Sequence, residues 1–417
     1  MMVLLIFLFS LSGKNEVGLS GDYFSQRYTI ADTVTRDTSA LDSELRLAWD
    51  FRLEPGSDSN ALAAAKRFDW GMNNALALST RSIRERIGWS GTWFINPQWC
   101  LRTGYDGELR YYHPGFLIVG NTQFSSSYLN NNLTAGVEFF LRPDLKFNLN
   151  EGLEIYRYLL EDSFNANYFL NRIQLGAKLE PPDGVPLSLV YGYNWFFVPA
   201  VENNGYGEHT VTGSGEVYFD AGSRLVLHNY FTRRRYPERV RSYWDEHLLF
   251  TFGWDPGADW SLTFEEDFRL TGYDETTAVY QNLIGNRAQV EGEWHLGESF
   301  VLRFGPQLEI SRNRLRTDEQ DYHEVAFSLG GEVFSSSGFW LAIEDRLGRR
   351  RYPAADSWVL SDYRFNEFNL FLNWQLLTTR TGGLTSEALV SLAPEWHTEA
   401  IDNLAALSYS LGLKFRF

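Results

Sequence analysis

Alternation of apolar and polar residues limits the fold of this chain more than any other feature of its sequence. In Leu407–Phe417 every odd-numbered residue is apolar or aromatic, and every even-numbered residue is small or charged. Side chains of a β-strand point to opposite faces in turn, so this pattern predicts a strand with one apolar face and one polar face. The same pattern occurs in Phe368–Leu376, Ile173–Leu179 and Leu133–Leu141.

Short clusters of Gly, Pro, Asp and Ser separate these segments and predict tight turns. They recur about every 40 residues, which indicates a hairpin repeat. The connections at the other ends of the hairpins are longer, as at Tyr236–Trp244 and Tyr352–Asp362. The turn clusters are Arg142–Asp144, Pro181–Gly184, Asp220–Ser223, Asp255–Ala258, Leu296–Glu298, Ser335–Gly338 and Thr381–Gly383, with weaker ones at Glu54–Gly56 and Asn96–Pro97.

Two strands for each turn predict an all-β fold, a single transmembrane antiparallel up-and-down β-barrel of about twenty strands, with a range of roughly 18 to 22. A membrane-spanning helix would need about 20 consecutive apolar residues, and only the start of the chain approaches this. In a transmembrane strand only every second residue meets lipid, so the composition stays polar. Residues 57–85 and 103–126 alternate poorly, and the count is least certain there.

The first residues predict a secretion signal. Met2–Ser12 is mostly apolar, is too short to span a bilayer, and is followed by small and polar residues. A basic segment before it is missing, so a wrongly assigned start or a buried first strand stays an alternative. We expect residues 1–13 to be a signal peptide and residues 14–417 to form the barrel.

Charge and reactive residues argue against several classes of function. The net charge of −16 argues against a nucleic-acid partner. The single cysteine, Cys100, rules out an internal disulfide framework, and no C-x-x-C-H motif for covalent haem occurs. The seven histidines lack metal-site spacing, and there is no G-x-S-x-G or P-loop motif. We therefore predict a protein that is not an enzyme and has no metal or cofactor.

The polar faces of the clearest strands carry rows of charged residues of both signs. Such rows hold the wall of a wide barrel in shape and set the field that a permeating ion meets. Because carboxylates outnumber cations in them, a water-filled pore is predicted to prefer cations, with salt screening over roughly 10 Å at 0.1 M. The predicted lumen-wall residues are Glu265, Asp267, Arg269, Glu291, Glu293, Arg303, Glu309, Glu332, Glu344 and Arg346.

The segment Arg-Arg-Arg-Tyr-Pro occurs twice, at Arg233–Pro237 and Arg349–Pro353, each time where a strand reaches the long-loop end. Outward guanidinium groups there would pair with phosphates of the outer leaflet. A solvated rim charge, repeated because the hairpins are related, is the alternative. Alternation places Arg233, Arg235, Arg349 and Arg351 outward, and Arg234 and Arg350 toward the lumen mouth.

The apolar face has two further regularities. Trp260, Trp294 and Trp374 lie near the short turns, which predicts an inner aromatic girdle.

The second regularity is an interruption of the apolar row. In the strands that run from short turns to long loops, a polar residue or proline takes an apolar position at one recurring place. We expect β-bulges or kinks there that turn the side chains away from lipid; a belt for partner protomers, or a misaligned row, is the alternative. The interruptions are Glu151, Tyr193, Asn229, Glu266, Pro306, Asp345 and Pro394.

The C-terminal strand resembles the assembly signal of bacterial outer-membrane proteins. Phe417 stands at the end of the chain, preceded in alternation by Phe415, Leu413, Leu411 and Tyr409. The chain is thus similar to Gram-negative outer-membrane β-barrel proteins of the porin-like type, with no subfamily indicated. The resemblance implies an integral outer-membrane location, recognition by the barrel-assembly machinery, and contact with outer-membrane lipid and lipopolysaccharide.

Two functions follow from this resemblance. The first is a porin-like channel for passive diffusion of ions or small polar solutes. The second is a sheath or scaffold that encloses or docks a periplasmic or extracellular partner protein, such as a periplasmic multihaem cytochrome or a secreted lipoprotein. Neither a long constriction loop nor a plug domain is recognisable in the sequence, which agrees with both functions.

Overall fold

The computed structural model describes residues 14–30, 34–53, 67–79, 82–112, 118–119, 122–123, 127–159, 166–182, 184–199, 201, 203–219, 222–257, 259–277, 279–313, 321–353, 361–378, 383–398 and 403–416. Side chains are described from residue 70 to residue 414 within these ranges, apart from residues 79, 112, 118–119 and 122–123. The predicted signal peptide, residues 1–13, lies outside the described residues.

The described chain is almost entirely β-strand, and 20 strands form one sheet. A separate two-stranded hairpin, β6 (Ile118–Val119) and β7 (Thr122–Gln123), lies between β5 and β8. The strands of the large sheet are β1 (Lys14–Ile30), β2 (Val34–Leu53), β3 (Arg67–Ser79), β4 (Ser82–Asn96), β5 (Trp99–Tyr112), β8 (Tyr128–Arg142), β9 (Leu145–Tyr158), β10 (Tyr168–Leu179), β11 (Leu187–Phe197), β12 (Tyr206–Phe219), β13 (Ser223–Arg235), β14 (Tyr243–Trp254), β15 (Trp260–Tyr273), β16 (Leu283–His295), β17 (Phe300–Asn313), β18 (Tyr322–Phe334), β19 (Phe339–Arg351), β20 (Tyr363–Thr378), β21 (Gly383–His397) and β22 (Leu404–Arg416).

Consecutive strands of the large sheet pair antiparallel, in an up-and-down order. The first strand, β1, pairs with β2 on one side and with the last strand, β22, on the other, so the ring of hydrogen-bonded strands closes. The predicted fold, an antiparallel barrel of about twenty strands, is confirmed. Among the described residues, no helix is long and apolar enough to cross a membrane.

Short turns join the strands at one end of the barrel, where the sequence predicts them. The side-chain oxygen of Asn96 accepts hydrogen bonds from the backbone N–H groups of Gln98 and Trp99, at 2.8 and 2.9 Å. Gly297 and Gly338 have φ values of 71° and 78°, which glycine adopts without a steric penalty. The turn predicted at residues 54–56 lies outside the described residues.

Contacts across several strands identify the inner face of the barrel. Arg346 on β19 contacts Glu324 on β18, Glu367 on β20 at 2.8 Å and Gln307 on β17 at 3.2 Å. Side chains converge on the concave side of a closed sheet and diverge on the convex side. Because Arg346 contacts residues of three other strands, it lies on the concave side, which faces the lumen. The register of β19 and β20 then places even-numbered residues of Phe368–Leu376 on the outer face, as predicted.

An aromatic girdle lies on the outer face next to the short turns. Trp260 pairs with Trp294 across β15 and β16, and its ring lies 5.2 Å from that of Trp254. Trp374 lies 6.2 Å from Phe339. Trp260, Trp294 and Trp374 are all exposed on the outer face, so their predicted orientation is confirmed.

The β-bulges expected at the polar interruptions are absent at the four positions that carry Glu, Asn or Asp. The bulge prediction is therefore wrong for these four residues. The strand register passes Glu151, Asn229, Glu266 and Asp345 without a shift, so these side chains stay on the outer face. Each instead forms a hydrogen bond with the next strand. An amide N–H donor offsets part of the cost of placing a carboxylate against lipid. The amides of Asn171, Asn286 and Asn366 donate to Glu151, Glu266 and Asp345 at 3.2, 2.9 and 2.7 Å, and Asn229 donates to Glu246.

The remaining interruptions differ in kind. At Pro306 and Pro394 the ladder toward the preceding strand skips two positions, because proline has no N–H to donate. The register is the same on both sides of each gap, so no bulge is present at these two prolines either, and a kink there stays a prediction. Tyr193 stays on the outer face, with its ring 5.0 Å from that of His209.

Candidate functional site

The residues predicted for the lumen wall occupy five consecutive strands and share the inner face of the sheet. Strand β15 carries Glu265, Asp267 and Arg269, β16 carries Glu291 and Glu293, β17 carries Arg303 and Glu309, β18 carries Glu332, and β19 carries Glu344 and Arg346. The period of two within each strand places them there, and the register between strands brings them side by side.

Arginines join these carboxylates into a network that runs along the wall. Arg303 donates to Glu293 at 2.6 Å and also to Glu332, so it links β16, β17 and β18. Arg269 donates to Asp245 at 3.0 Å. The ion pairs between described lumen residues lie within one strand or join adjacent strands. The network therefore braces the wall without bridging the lumen.

Three carboxylates of this wall have no cationic partner among the described residues. Glu291, Glu309 and Glu344 form no ion pair with any of them, although Glu309 accepts a hydrogen bond from the hydroxyl of Tyr322. Glu265, by contrast, lies 3.6 Å from Arg287. An unpaired carboxylate keeps its charge available to solutes in the lumen. Among the described residues, no group of His, Cys, Asp and Glu is arranged to hold a metal ion.

The opposite wall carries basic residues that the sequence prediction missed. Arg84 and Arg86 on β4 pair with Glu108 and Asp106 on β5, each at 2.7 Å. Arg172 on β10 pairs with Glu154 at 2.6 Å. Arg84 lies within the weakly alternating residues 57–85, and Arg86 lies just after them. The odd-numbered Ile83, Ile87, Trp89, Trp93 and Ile95 of β4 are the signal that would have identified this strand's inner face.

The lumen face is therefore uneven in charge around its circumference. We call the inner face of β14–β22 the acidic wall and that of β4–β13 the basic wall. A solute between them meets a field directed across the lumen. Carboxylates outnumber cations on the acidic wall, which carries the carboxylates Asp245, Glu265, Asp267, Glu291, Glu293, Glu309, Glu324, Glu332, Glu344, Glu367, Glu387 and Glu395 and the cations Arg269, Arg287, Arg303, Arg346, Arg350 and Lys414. Cations outnumber carboxylates on the basic wall, which carries the cations Arg84, Arg86, Arg102, Arg110, Lys146, Arg172, Lys178, Arg224 and Arg234 and the carboxylates Asp106, Glu108, Glu138, Glu154, Glu208 and Glu216.

Arg234, the central arginine of the first Arg-Arg-Arg-Tyr-Pro segment, lies on the inner face at the mouth in a cluster with tyrosines. Its Nε donates to Glu208 at 2.6 Å, and its guanidinium carbon lies 4.2 and 5.5 Å from the ring centres of Tyr206 and Tyr243. The carboxylate of Glu208 is buried. The charge of this arginine is therefore neutralised within the wall.

Arg350, the central arginine of the second segment, repeats this cluster. Its Nε donates to the buried Glu324 at 2.8 Å, and it lies 4.0 and 5.7 Å from the rings of Tyr322 and Tyr363. Both clusters combine a Tyr-x-Glu start of one strand with an arginine of the next. The related hairpins thus place an equivalent neutralised arginine at two points of the mouth.

The residues of the predicted assembly signal lie on the last strand. Tyr409, Leu411 and Leu413 are exposed on the outer face of β22, which pairs with β21 and β1. Phe417 and the side chain of Phe415 lie outside the described residues. Recognition of this strand by the assembly machinery stays a prediction.

No family model matches the sequence, and no curated protein matches it. Among solved structures, OpdQ of Pseudomonas aeruginosa has a TM-score of 0.50 and 10% identity, over 97% of this chain and 98% of that one. OccAB4 of Acinetobacter baumannii has a TM-score of 0.51 and 11% identity, over 97% and 98%. The alcaligin outer-membrane receptor FauA of Bordetella pertussis has a TM-score of 0.56 and 9% identity, over 96% and 76%. At such identities the likeness is one of fold, and this fold is that of integral, porin-like outer-membrane β-barrels.

Proposed function

We propose that the protein is a channel for passive diffusion of ions or small polar solutes across the outer membrane. The observation that carries this proposal is the lumen wall, whose charged side chains pair along the sheet and not across it. A barrel of this strand number is wide enough for a water-filled lumen. A charged lining keeps such a lumen hydrated.

The distribution of charge supports a modest cation preference. Glu291 and Glu344 are unpaired on the acidic wall, whereas Arg234 and Arg350 at the mouth are neutralised by buried carboxylates. The field that a permeating ion meets should therefore be set by the wall carboxylates more than by the mouth arginines. Salt weakens this field over a Debye length of roughly 10 Å at 0.1 M.

The test is conductance of the purified full chain in a planar bilayer. We expect steady single-channel conductance and, across a KCl gradient, a reversal potential of the sign for cation preference that shrinks in concentrated salt. Anion preference would mean that the basic wall dominates and would overturn the selectivity part of the proposal. A barrel that inserts and never conducts would overturn the channel itself.

A second candidate, a sheath around a partner protein, has one observation in its favour. A continuous row of aromatic rings crosses the inner face of β8–β12 near the mouth, and tyrosine-rich surfaces are common at protein interfaces. Neighbouring centroids in the row Tyr128, Tyr156, Tyr168, Phe196 and Tyr206 are 4.7, 4.9, 5.2 and 4.9 Å apart. Native mass spectrometry of the protein from its own membrane distinguishes the candidates, since a sheath carries one stoichiometric protein partner and a channel carries none.

A further inference from the structure

Arginines of three strands meet on the outer face at the long-loop end of β17–β20. Arg349 on β19 lies opposite Arg364 on β20, and Arg351 lies opposite His323 on β18. Arg312 on β17 completes the band, with its Nη2 2.8 Å from Nε2 of His323. We call Arg312, Arg349, Arg351 and Arg364 the rim patch. All of them are exposed.

The rim patch is poorly neutralised by the described chain. Arg349 contacts one carboxylate, that of Asp362, at 3.4 Å. Arg351 and Arg364 form no hydrogen bond or ion pair with a described residue. Within the described part of the chain, the single polar contact of Arg312 is with His323. Like charges held on neighbouring strands repel one another, and an external anion would relieve this repulsion.

The height of the rim patch on the barrel indicates where that anion lies. Directly below it the outer face is apolar and exposed, with Leu347 two residues before Arg349, Ile310 two residues before Arg312, and Val325 two residues after His323. The tryptophan girdle lies at the other end, beside the short periplasmic turns. The patch therefore lies at the headgroup level of the outer leaflet.

The other Arg-Arg-Arg-Tyr-Pro segment is a natural comparison, because Arg233, its equivalent of Arg349, is already paired. Arg233 donates two hydrogen bonds to Asp274, at 2.7 and 2.6 Å, and holds the pKa of that carboxyl below its usual value. Its side chain is 22% exposed, against 44% for Arg349. Its neighbours across the strands are His209 and Trp244, not arginines.

We propose that the rim patch binds the phosphate groups of a phosphorylated glycolipid of the outer leaflet, of the lipopolysaccharide class. Guanidinium groups pair with phosphate oxygens in a bidentate way, which suits recognition of a phosphorylated headgroup. The apolar surface of Leu347 and Ile310 lies where the acyl chains of the same lipid would pack. The segment around Arg233 lacks this site, because Asp274 occupies Arg233 and the other outward arginine, Arg235, lies opposite Gly207 and not opposite an arginine.

The test measures binding of deep-rough lipopolysaccharide to the full-length barrel in detergent, by native mass spectrometry. R351Q/R364Q should weaken binding at least tenfold, and R351K/R364K, which keeps the charge and loses bidentate pairing, should weaken it less. The matched control R233Q/R235Q should bind within twofold of the wild type. Single-channel conductance should be unchanged in all of these variants, because the substitutions lie outside the lumen.

Three outcomes would overturn the inference. Equal weakening in R233Q/R235Q would mean that any rim cation suffices, and equal binding of a dephosphorylated form of the lipid would mean that phosphate is not recognised. Displacement of the lipid by low millimolar inorganic phosphate would make the site one for free phosphate instead. Loss of lipopolysaccharide binding with normal conductance is the expected result, and it is independent of whether the channel proposal holds.

Discussion

Strand β15 carries three consecutive carboxylates that face different surroundings, because neighbouring residues of a strand point to opposite faces of the sheet. Glu265 and Asp267 face the lumen, where Arg287 lies 3.6 and 3.8 Å away. Glu266 faces lipid and accepts a hydrogen bond from the amide of Asn286 at 2.9 Å. The carboxylates facing water are paired with a cation, and the one facing lipid is paired with a neutral donor.

The difference between the two faces follows from the solvent. In a water-filled lumen an exposed ion pair contributes about 0 to 1 kcal/mol, because water solvates both charges well without the pair. Against lipid a charge lacks solvation, and a cationic partner would add a second charge to desolvate. A neutral amide supplies the hydrogen bond without that second charge. Lumen carboxylates should therefore act on permeation, and lipid-facing ones on stability.

The largest expected effect is the loss of the lipid-facing partner in Asn286→Leu. It leaves Glu266 without its donor against lipid and should lower the free energy of unfolding by about 2 kcal/mol. The matched lumen variant, Arg287→Leu, should lower it by less than about 1 kcal/mol. Urea titration of the barrel in phospholipid vesicles, followed by tryptophan fluorescence, measures both. Equal losses of the free energy of unfolding in the two variants would mean that lipid and lumen water affect these side chains alike.

The next effect concerns selectivity. Removing four carboxylates of the acidic wall, in E265Q/E291Q/E293Q/E344Q, should lower the cation-to-anion permeability ratio several-fold at low salt, because the wall field is lost. The control E266Q/D345N removes carboxylates from two of the same strands, on the lipid side, and should leave the ratio unchanged. Reversal potentials across a KCl gradient provide the measurement. A change in the control would place its side chains in the lumen.

A smaller effect of opposite sign is expected on the basic wall. In R84Q/R86Q the partners Glu108 and Asp106 lose their cations, so cation preference should rise, by less than twofold, in the same reversal-potential experiment. The effect is smaller because these substitutions change the charge of the lumen wall by two units and not by four. A fall in cation preference would contradict the assignment of β4 to the lumen wall.

The smallest effect is expected for Glu266→Gln. The side-chain amide still bonds Asn286 while the charge against lipid is removed, so stability should rise by at most about 1 kcal/mol. Glu265→Gln, one residue earlier and facing water, should change stability by less. A clear loss of stability in Glu266→Gln would show that the charge itself strengthens the contact with Asn286.

Much of the fold could be predicted because its signals are local. Alternation in Phe368–Leu376 and in the last strand requires only the period of two, and the turn at Asn96–Pro97 requires only its own residues. Strand number, the orientation of Trp260 and the inward position of Arg346 all followed from such patterns. The prediction missed the basic wall, whose first strand, β4, begins in the weakly alternating residues 57–85.

The sequence by itself determined which face of the wall each residue of a clear strand occupies, since the pleat sets this within a few residues. Only the tertiary structure decided the partners. Arg303 lies between Glu293 and Glu332, and Glu266 meets Asn286, which is 20 residues away in the sequence. Such pairs depend on the register between strands and on closure of the ring. That is why bulges were expected where the neighbouring strand instead provides an amide.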